Sequence, residues 1–171
     1  MAYVPDIVSY KPFYIETKAY NSAFDTRHWG LVAKTNPFPI LPTPKAPFAN
    51  EWKDENGDDE YVDELRYEAY EFEVSFYIKC FDNDNETAEV TMRRQIDGFF
   101  SLIKEGEFKI YDSYTGVGRQ KVRYAGYTEE SFKRGSTKDG DWARAIFRLK
   151  FKVNDPITRL EWYNGKLVEV V

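Results

Sequence analysis

Hydrophobic and polar residues alternate most plainly between Arg66 and Phe81. Tyr70, Phe72, Val74, Phe76, Ile78 and Cys80 fall on one side, and Glu71, Glu73, Ser75, Tyr77 and Lys79 on the other. That two-residue period is the mark of a strand with one buried face. The stretch is about twice the usual strand length or more, so it must bend, serve two sheets or project past the domain body. A second long alternation covers Trp142 to Val153, with Ala143, Ala145, Phe147, Leu149, Phe151 and Val153 inward and Arg144, Arg148, Lys150 and Lys152 outward. Asn154-Asp155-Pro156 stops it. Between the two, the period changes. Ala88, Met92, Ile96, Phe99, Phe100 and Ile103 recur at spacings of three and four, which predicts a helix over 86–105 with one apolar stripe. Asn83 or Asn85 can cap its start, and Gly106 suits a left-handed terminator. Gly98, in its interior, predicts close packing against the sheet.

Shorter signals fill the rest. Phe13, Ile15 and Thr17 predict a strand within 7–17, limited upstream by Pro12. A turn at 21–25 and a strand at 29–34 follow. Glu107 to Tyr111 and Gln120 to Tyr127 alternate as strands, separated by a turn at Gly116 and Gly118. Glu129 to Asp141 is polar and glycine-containing, which predicts a loop. The tail, 157–171, predicts a hairpin turning on Asn164-Gly165 in a type I′ turn. Prolines at 37, 39, 42, 44 and 47 make 36–48 an extended, non-sheet arm. Asp54, Glu55, Asp58, Asp59, Glu60, Asp63 and Glu64 make the following stretch strongly acidic. Segment 36–64 is thus a long irregular excursion, of the kind that is functional or disordered. Strands, one helix, then strands predict a single mainly β domain over 1–171: an antiparallel sandwich or barrel with one flanking helix.

Composition narrows the chemistry. The apolar runs are too short for a membrane-spanning helix, and the first residues lack the basic and apolar regions of a secretory signal. One cysteine, Cys80, excludes an internal disulfide framework, and one histidine, His28, removes most metal sites and nucleophile–histidine catalysts. A net charge of −5 argues against a general nucleic-acid binder. Aromatic residues reach 18%, which favours strands and points to an assembling or ligand-binding surface.

Candidate catalytic and metal-binding patterns are weak. The carboxylates at 54–60 lack the calcium-loop spacing of glycine and final glutamate. Asp82-Asn83-Asp84-Asn85-Glu86 suits turn and cap chemistry. Glu71 and Glu73 share a strand face and read as its solvated side. Gly116-Val117-Gly118-Arg119 lacks the full phosphate-loop pattern. No enzyme activity, cofactor or metal is expected.

One resemblance stands out. Lys121-Val122-Arg123-Tyr124-Ala125-Gly126-Tyr127, then Ala143 through Val153 to Asn154-Asp155-Pro156, resembles the end of the N-terminal domain of bacteriophage distal tail proteins. A strand with an aromatic-Gly step, a loop and a long strand ending in Asp-Pro are shared. Upstream, the order of long strand, acidic turn, helix and short strand with Phe108, Ile110 and Asp112 also fits. The likeness covers about 66–156 and extends to tail-tube proteins and the type VI secretion tube protein. It implies a ring-forming tail component, distal-tail-like or tube-like. Distal tail proteins often carry a second, C-terminal domain, whereas only about fifteen residues follow Pro156.

The resulting expectation is a structural virion tail protein, assembled in the host cytoplasm. Its partners would be further copies of itself in a ring, taken as hexameric, and other tail proteins, with DNA passing non-specifically through the lumen. The expected subunit interface sets Arg144, Arg148 and Lys150 against Asp58, Asp59 and Glu60 of a neighbour, since opposite charges fix register. The rival is a carbohydrate- or ligand-binding β-sandwich using Trp29, Trp52, Trp142 and Trp162 as platforms.

Overall fold

The long alternating stretch is the strand on which the rest of the sheet is built. The computed structural model describes residues 2–3, 13–20, 22–33, 41–51, 58–61 and 65–170. Its strands are β1 (Ala2–Tyr3), β2 (Phe13–Thr17), β3 (Phe24–Asp25), β4 (Val32–Ala33), β5 (Phe48–Glu51), β6 (Asp58–Tyr61) and β7 (Tyr70–Phe81). After helix α1 (Ala88–Ile103) come β8 (Phe108–Asp112), β9 (Val117–Thr137), β10 (Gly140–Val153), β11 (Leu160–Tyr163) and β12 (Lys166–Glu169). Among the described residues the fold is mostly antiparallel β-sheet with a single α-helix.

Among the described residues, β1-β7-β10-β9-β8-β2-β3 is the path of one sheet, with β4 also on β7 and the β11–β12 hairpin joined to β9. The sheet curls over itself. Phe13 of β2 and Phe76 of β7 meet edge to face, 6.0 Å between ring centres, although three strands separate them along the sheet. Helix α1 caps the concave side, and Phe99, 1% exposed, packs against both Phe76 and Trp29. Phe72, Phe108, Phe147 and Phe151 extend the same aromatic core. The inward set predicted for β7 and β10 is the observed one, apart from Tyr70, which is half-buried.

Several expectations need correction. Residues 129–137 are strand, not loop. β9 runs unbroken to Thr137 and pairs with β10 down to a tight turn before Gly140. The ladder to β10 outweighs the weak hydrophobic pattern there, because the polar residues face water at the sheet's edge. Thr26–Trp29 form a 3₁₀ turn rather than the start of a strand. The Asp25 side chain accepts from the Arg27 N–H at 2.9 Å, and Gly30, with φ 69°, closes the turn. Only Val32–Ala33 continue as strand.

The excursion is not wholly irregular: β5 pairs with β6 as a separate two-stranded sheet. Residues 41–47 are tied to the body by backbone bonds from Lys45 to the Arg66 carbonyl (2.7 Å) and from Glu68 to the Thr43 carbonyl (2.9 Å). The first strand is seen at 13–17. The predicted positions 7–12, 34–40, 52–57 and 62–64 lie outside the described residues.

In α1, Phe100 belongs to the open side, 40% exposed, and Leu102 joins the buried stripe instead. Asn83 accepts from the amides of Asn85 and Glu86, in a turn ahead of the helix, while Asp82 accepts from the Ala88 amide at 2.7 Å. Gly98 packs against Trp29 rather than the sheet: a β-carbon there would lie 3.1 Å from the indole, which would have to give by a few tenths of an ångström. The tail hairpin turns as expected, with φ of 49° at Asn164 and 80° at Gly165.

Candidate functional site

The three central strands, β7, β10 and β9, leave one face outside the core. Alternation along β10 puts Arg144, Arg148 and Lys150 together on it, beside Trp142 and Lys152. Neighbouring strands add Lys79, Lys133 and Arg123 by register. Against these seven cations stand three carboxylates, Glu71, Glu73 and Glu130. A chain with net charge −5 therefore carries a basic face.

Local pairing orders this face. Arg148 reaches Glu73 on β7 at 3.2 Å and Glu130 on β9 at 2.5 Å. Glu130 comes within reach because the register shifts between Ile146 and Phe147, leaving it as the extra residue of a bulge. The Ser75 hydroxyl also donates to it, at 3.4 Å. Lys150 holds Glu71 at 2.8 Å. That hydrogen bond, aided by the ammonium charge, lowers the Glu71 carboxyl below its ordinary value. These pairs are exposed, so they orient side chains more than they stabilise the fold. Trp142 carries Lys79 and Arg144 over its ring, 4.9 and 5.7 Å from its centre.

The expected interface residues thus divide. Arg144, Arg148 and Lys150 share one face. Asp58, Asp59 and Glu60 lie on the backbone of β6, and their side chains lie outside what is described. The carboxylates that Arg148 and Lys150 hold, Glu73, Glu130 and Glu71, were not foreseen as their partners. Glu71 and Glu73 were within reach of the argument: they alternate on β7 as Arg148 and Lys150 do on β10. Glu130 was not, because a bulge leaves no mark in the hydrophobic pattern.

A second feature lies on the opposite side. A groove of about 610 Å³ runs between α1 and the β9–β10 hairpin, lined by Met92, Ile96, Phe100, Tyr124, Tyr127 and Phe132 among others. Phe100 meets Tyr124 edge to face at 5.4 Å, and Arg134 ties the hairpin to Glu89 at 3.1 Å.

The remaining candidates lie elsewhere in the fold. His28 packs edge-on against Trp29 at 4.9 Å. Cys80 is buried, and loss of solvent pushes its thiol up to about 11. Among the described residues, no group of three or more histidine, cysteine or acidic side chains is placed to hold a metal ion. No described helix is long and apolar enough to cross a membrane. Trp29, Trp142 and Trp162 occupy three separate places: on α1, on the basic face, and stacked on Tyr14 at 5.5 Å. Trp52 lies outside the described residues.

Comparison with known proteins gives the fold a precedent. The chain shares it with the crystal structure of the Dit protein of phage SPP1, described as a paradigm of the hub adsorption apparatus in phages infecting Gram-positive bacteria. The TM-score is 0.54 at 15% identity, over 88% of this chain and 52% of that one. The chain therefore spans about half the length of that protein. No family model matches the sequence, and no curated protein matches it.

Proposed function

We propose that this chain is a structural subunit of a bacteriophage tail, a ring-forming component of the distal-tail or tube type without catalytic activity. The observation that carries the reading is the fold shared with a phage tail hub protein over most of the chain. Subunits associate through two unlike surfaces, as closure by rotation requires. One is the basic face of β7, β10 and β9. The other is the acidic excursion, whose sequence from Glu51 to Glu64 carries eight carboxylates and one lysine. Opposite charge fixes register and partner choice there.

DNA sliding through a lumen must not be gripped, and a face with excess arginine and lysine would grip phosphates. The basic face therefore belongs at subunit contacts, and the conduit is lined by other, more acidic parts of the chain. Other tail proteins attach to the ring, which is assembled in the host cytoplasm and remains in the virion.

The test is sedimentation of the full chain over a wide concentration range, followed by negative-stain imaging. Rings of one size are expected, dissolving as salt is raised. A protein that stays monomeric at the highest concentration, and yields no rings when mixed with its tail partners, would overturn the reading.

A further inference from the structure

The groove between α1 and the β9–β10 hairpin is backed by buried residues of β10 and walled by rings that water still reaches. Phe100, Tyr127 and Phe132 are 40%, 64% and 45% exposed. Of the carboxylates at its rim, Glu89 is taken by Arg134. Asp97 and Glu129 are exposed and, among the described residues, hold no cation, although Arg93 lies on the same rim. An aromatic groove with free carboxylates suits an apolar, extended segment that carries a positive charge.

The chain itself holds such a segment. Leu41-Pro42-Thr43-Pro44-Lys45 runs outside the strands, and Leu41, at 79%, is more exposed than any other large apolar side chain described. Lys45 is exposed as well and forms no ion pair among the described residues. The prolines hold the segment extended. The backbone bonds from Lys45 to the Arg66 carbonyl and from Glu68 to the Thr43 carbonyl pin it to the body. It is a stiff ridge, shaped before any partner arrives, which lowers the ordering cost of binding. From Lys34 to Asn50 the sequence carries two lysines and no carboxylate.

Ridge and groove of one copy do not meet. None of residues 41–47 lines the groove. The ridge is held just ahead of Tyr70, which lies opposite Val153, whereas the groove uses Leu149 to Ala145, about 13–26 Å further along β10 at the usual strand rise. We propose that the groove receives the Leu41–Lys45 ridge of a second copy. Aromatic-lined grooves take proline-stiffened segments in this manner. Leu41 and the prolines lie on Phe100, Tyr127 and Phe132, and Lys45 reaches Asp97 or Glu129. The contact rests on the self-association proposed above. Beyond Val122, among the described residues, β9 has β10 on one side and a free edge on the other. Groove and basic face flank that edge, so a neighbour's ridge and the acidic stretch that follows it in sequence straddle it together.

The experiment mixes two full chains, one carrying L41C and the other Y127C. Cys80 is buried, so the introduced thiols are the reactive ones. With a short bismaleimide, the two should cross-link several-fold faster than L41C with Y163C, an exposed control on the tail hairpin. F132A added to the Y127C chain should remove most of that advantage. In sedimentation, L41D should reach half-association at a concentration about tenfold or more above that of the wild type. Rings that form without this cross-link would overturn the contact and leave the tail-ring reading standing. Cross-linked pairs that close into no ring would support the contact and overturn the ring. A cross-linking rate no higher than with Y163C, or L41D chains that associate as the wild type does, would overturn the proposal.

Discussion

The indole of Trp142 rests on the backbone of Gly135, so close that a β-carbon at 135 would overlap the ring. The two residues are directly opposed on β10 and β9. The glycine is thus a seat for the tryptophan, which in turn carries Lys79 and Arg144. G135A should cost about 1–3 kcal/mol, the usual penalty for forcing extra atoms into a packed contact. In W142A the seat is empty, so G135A added to it should cost far less. A double-mutant cycle by urea unfolding measures that coupling. Strictly additive costs would mean that the indole can move aside freely.

Phe99 and Phe100 are neighbours with opposite fates. Phe99 is enclosed between Trp29 and Phe76, whereas Phe100 lies on the groove against Tyr124. F99A should destabilise by about 3–5 kcal/mol. F100A should cost well under half of that, because its ring is 40% exposed. Equal losses in denaturant titrations would place the helix in a different rotation.

The pair shows what a sequence can and cannot tell. Periodicity found the helix, both long strands and their inward residues, because each buries one face and alternates accordingly. It could not separate Phe99 from Phe100, since both fall within the apolar stripe as the sequence draws it, and only Trp29 and Phe76, which cover Phe99, show that the buried side turns away from Phe100. It missed the strand at 129–137, where Lys133, Arg134 and Ser136 carry no pattern and the ladder to β10 decides. The basic row on β10 was legible, but its in-chain partners depended on register and on the bulge at Glu130.

Asp155 sets an acid limit on the turn after β10. Burial alone would raise its carboxyl, but hydrogen bonds from the Thr158 amide, Gln120, the Thr158 hydroxyl and the Ile157 amide outweigh it, and the pKa is lowered. A carboxyl depressed in the folded state contributes stability above its unfolded pKa and loses it as pH falls through the folded value. D155N should therefore be less stable than wild type at neutral pH. The gap should narrow below about pH 4, near the ordinary carboxylate range. Parallel stability curves for the two proteins down to pH 2 would refute this.

Charge reversal tests whether the proposed assembly surface exists. Arg148 is held by Glu73 and Glu130, so R148E would crowd three carboxylates within one subunit. Arg144 and Lys152 form none of the ion pairs on this face. R144E combined with K152E should leave the monomer's Tm within a few degrees and reduce ring formation at low salt. Adding D58K and D59K should restore it in part. Sedimentation of the wild type, each half and the combined protein gives the comparison, and rings unaffected by the first pair would exclude this face.

The path of the sheet has a consequence for how the protein is made. β1 and β4 attach to one flank, on β7, while β2 and β3 complete the other, on β8. The earliest part of the chain thus finishes both ends of a sheet whose middle is synthesised later. A growing polypeptide has nowhere to seat β2 until β8 has emerged, and the contact of Phe13 with Phe76 has to wait as well. Such distant pairings slow folding and leave strand edges open in the meantime. Those waiting edges can be met by another nascent copy as readily as by the chain's own first strands. Expression at low temperature and slow synthesis should therefore favour correctly closed molecules over tangled ones.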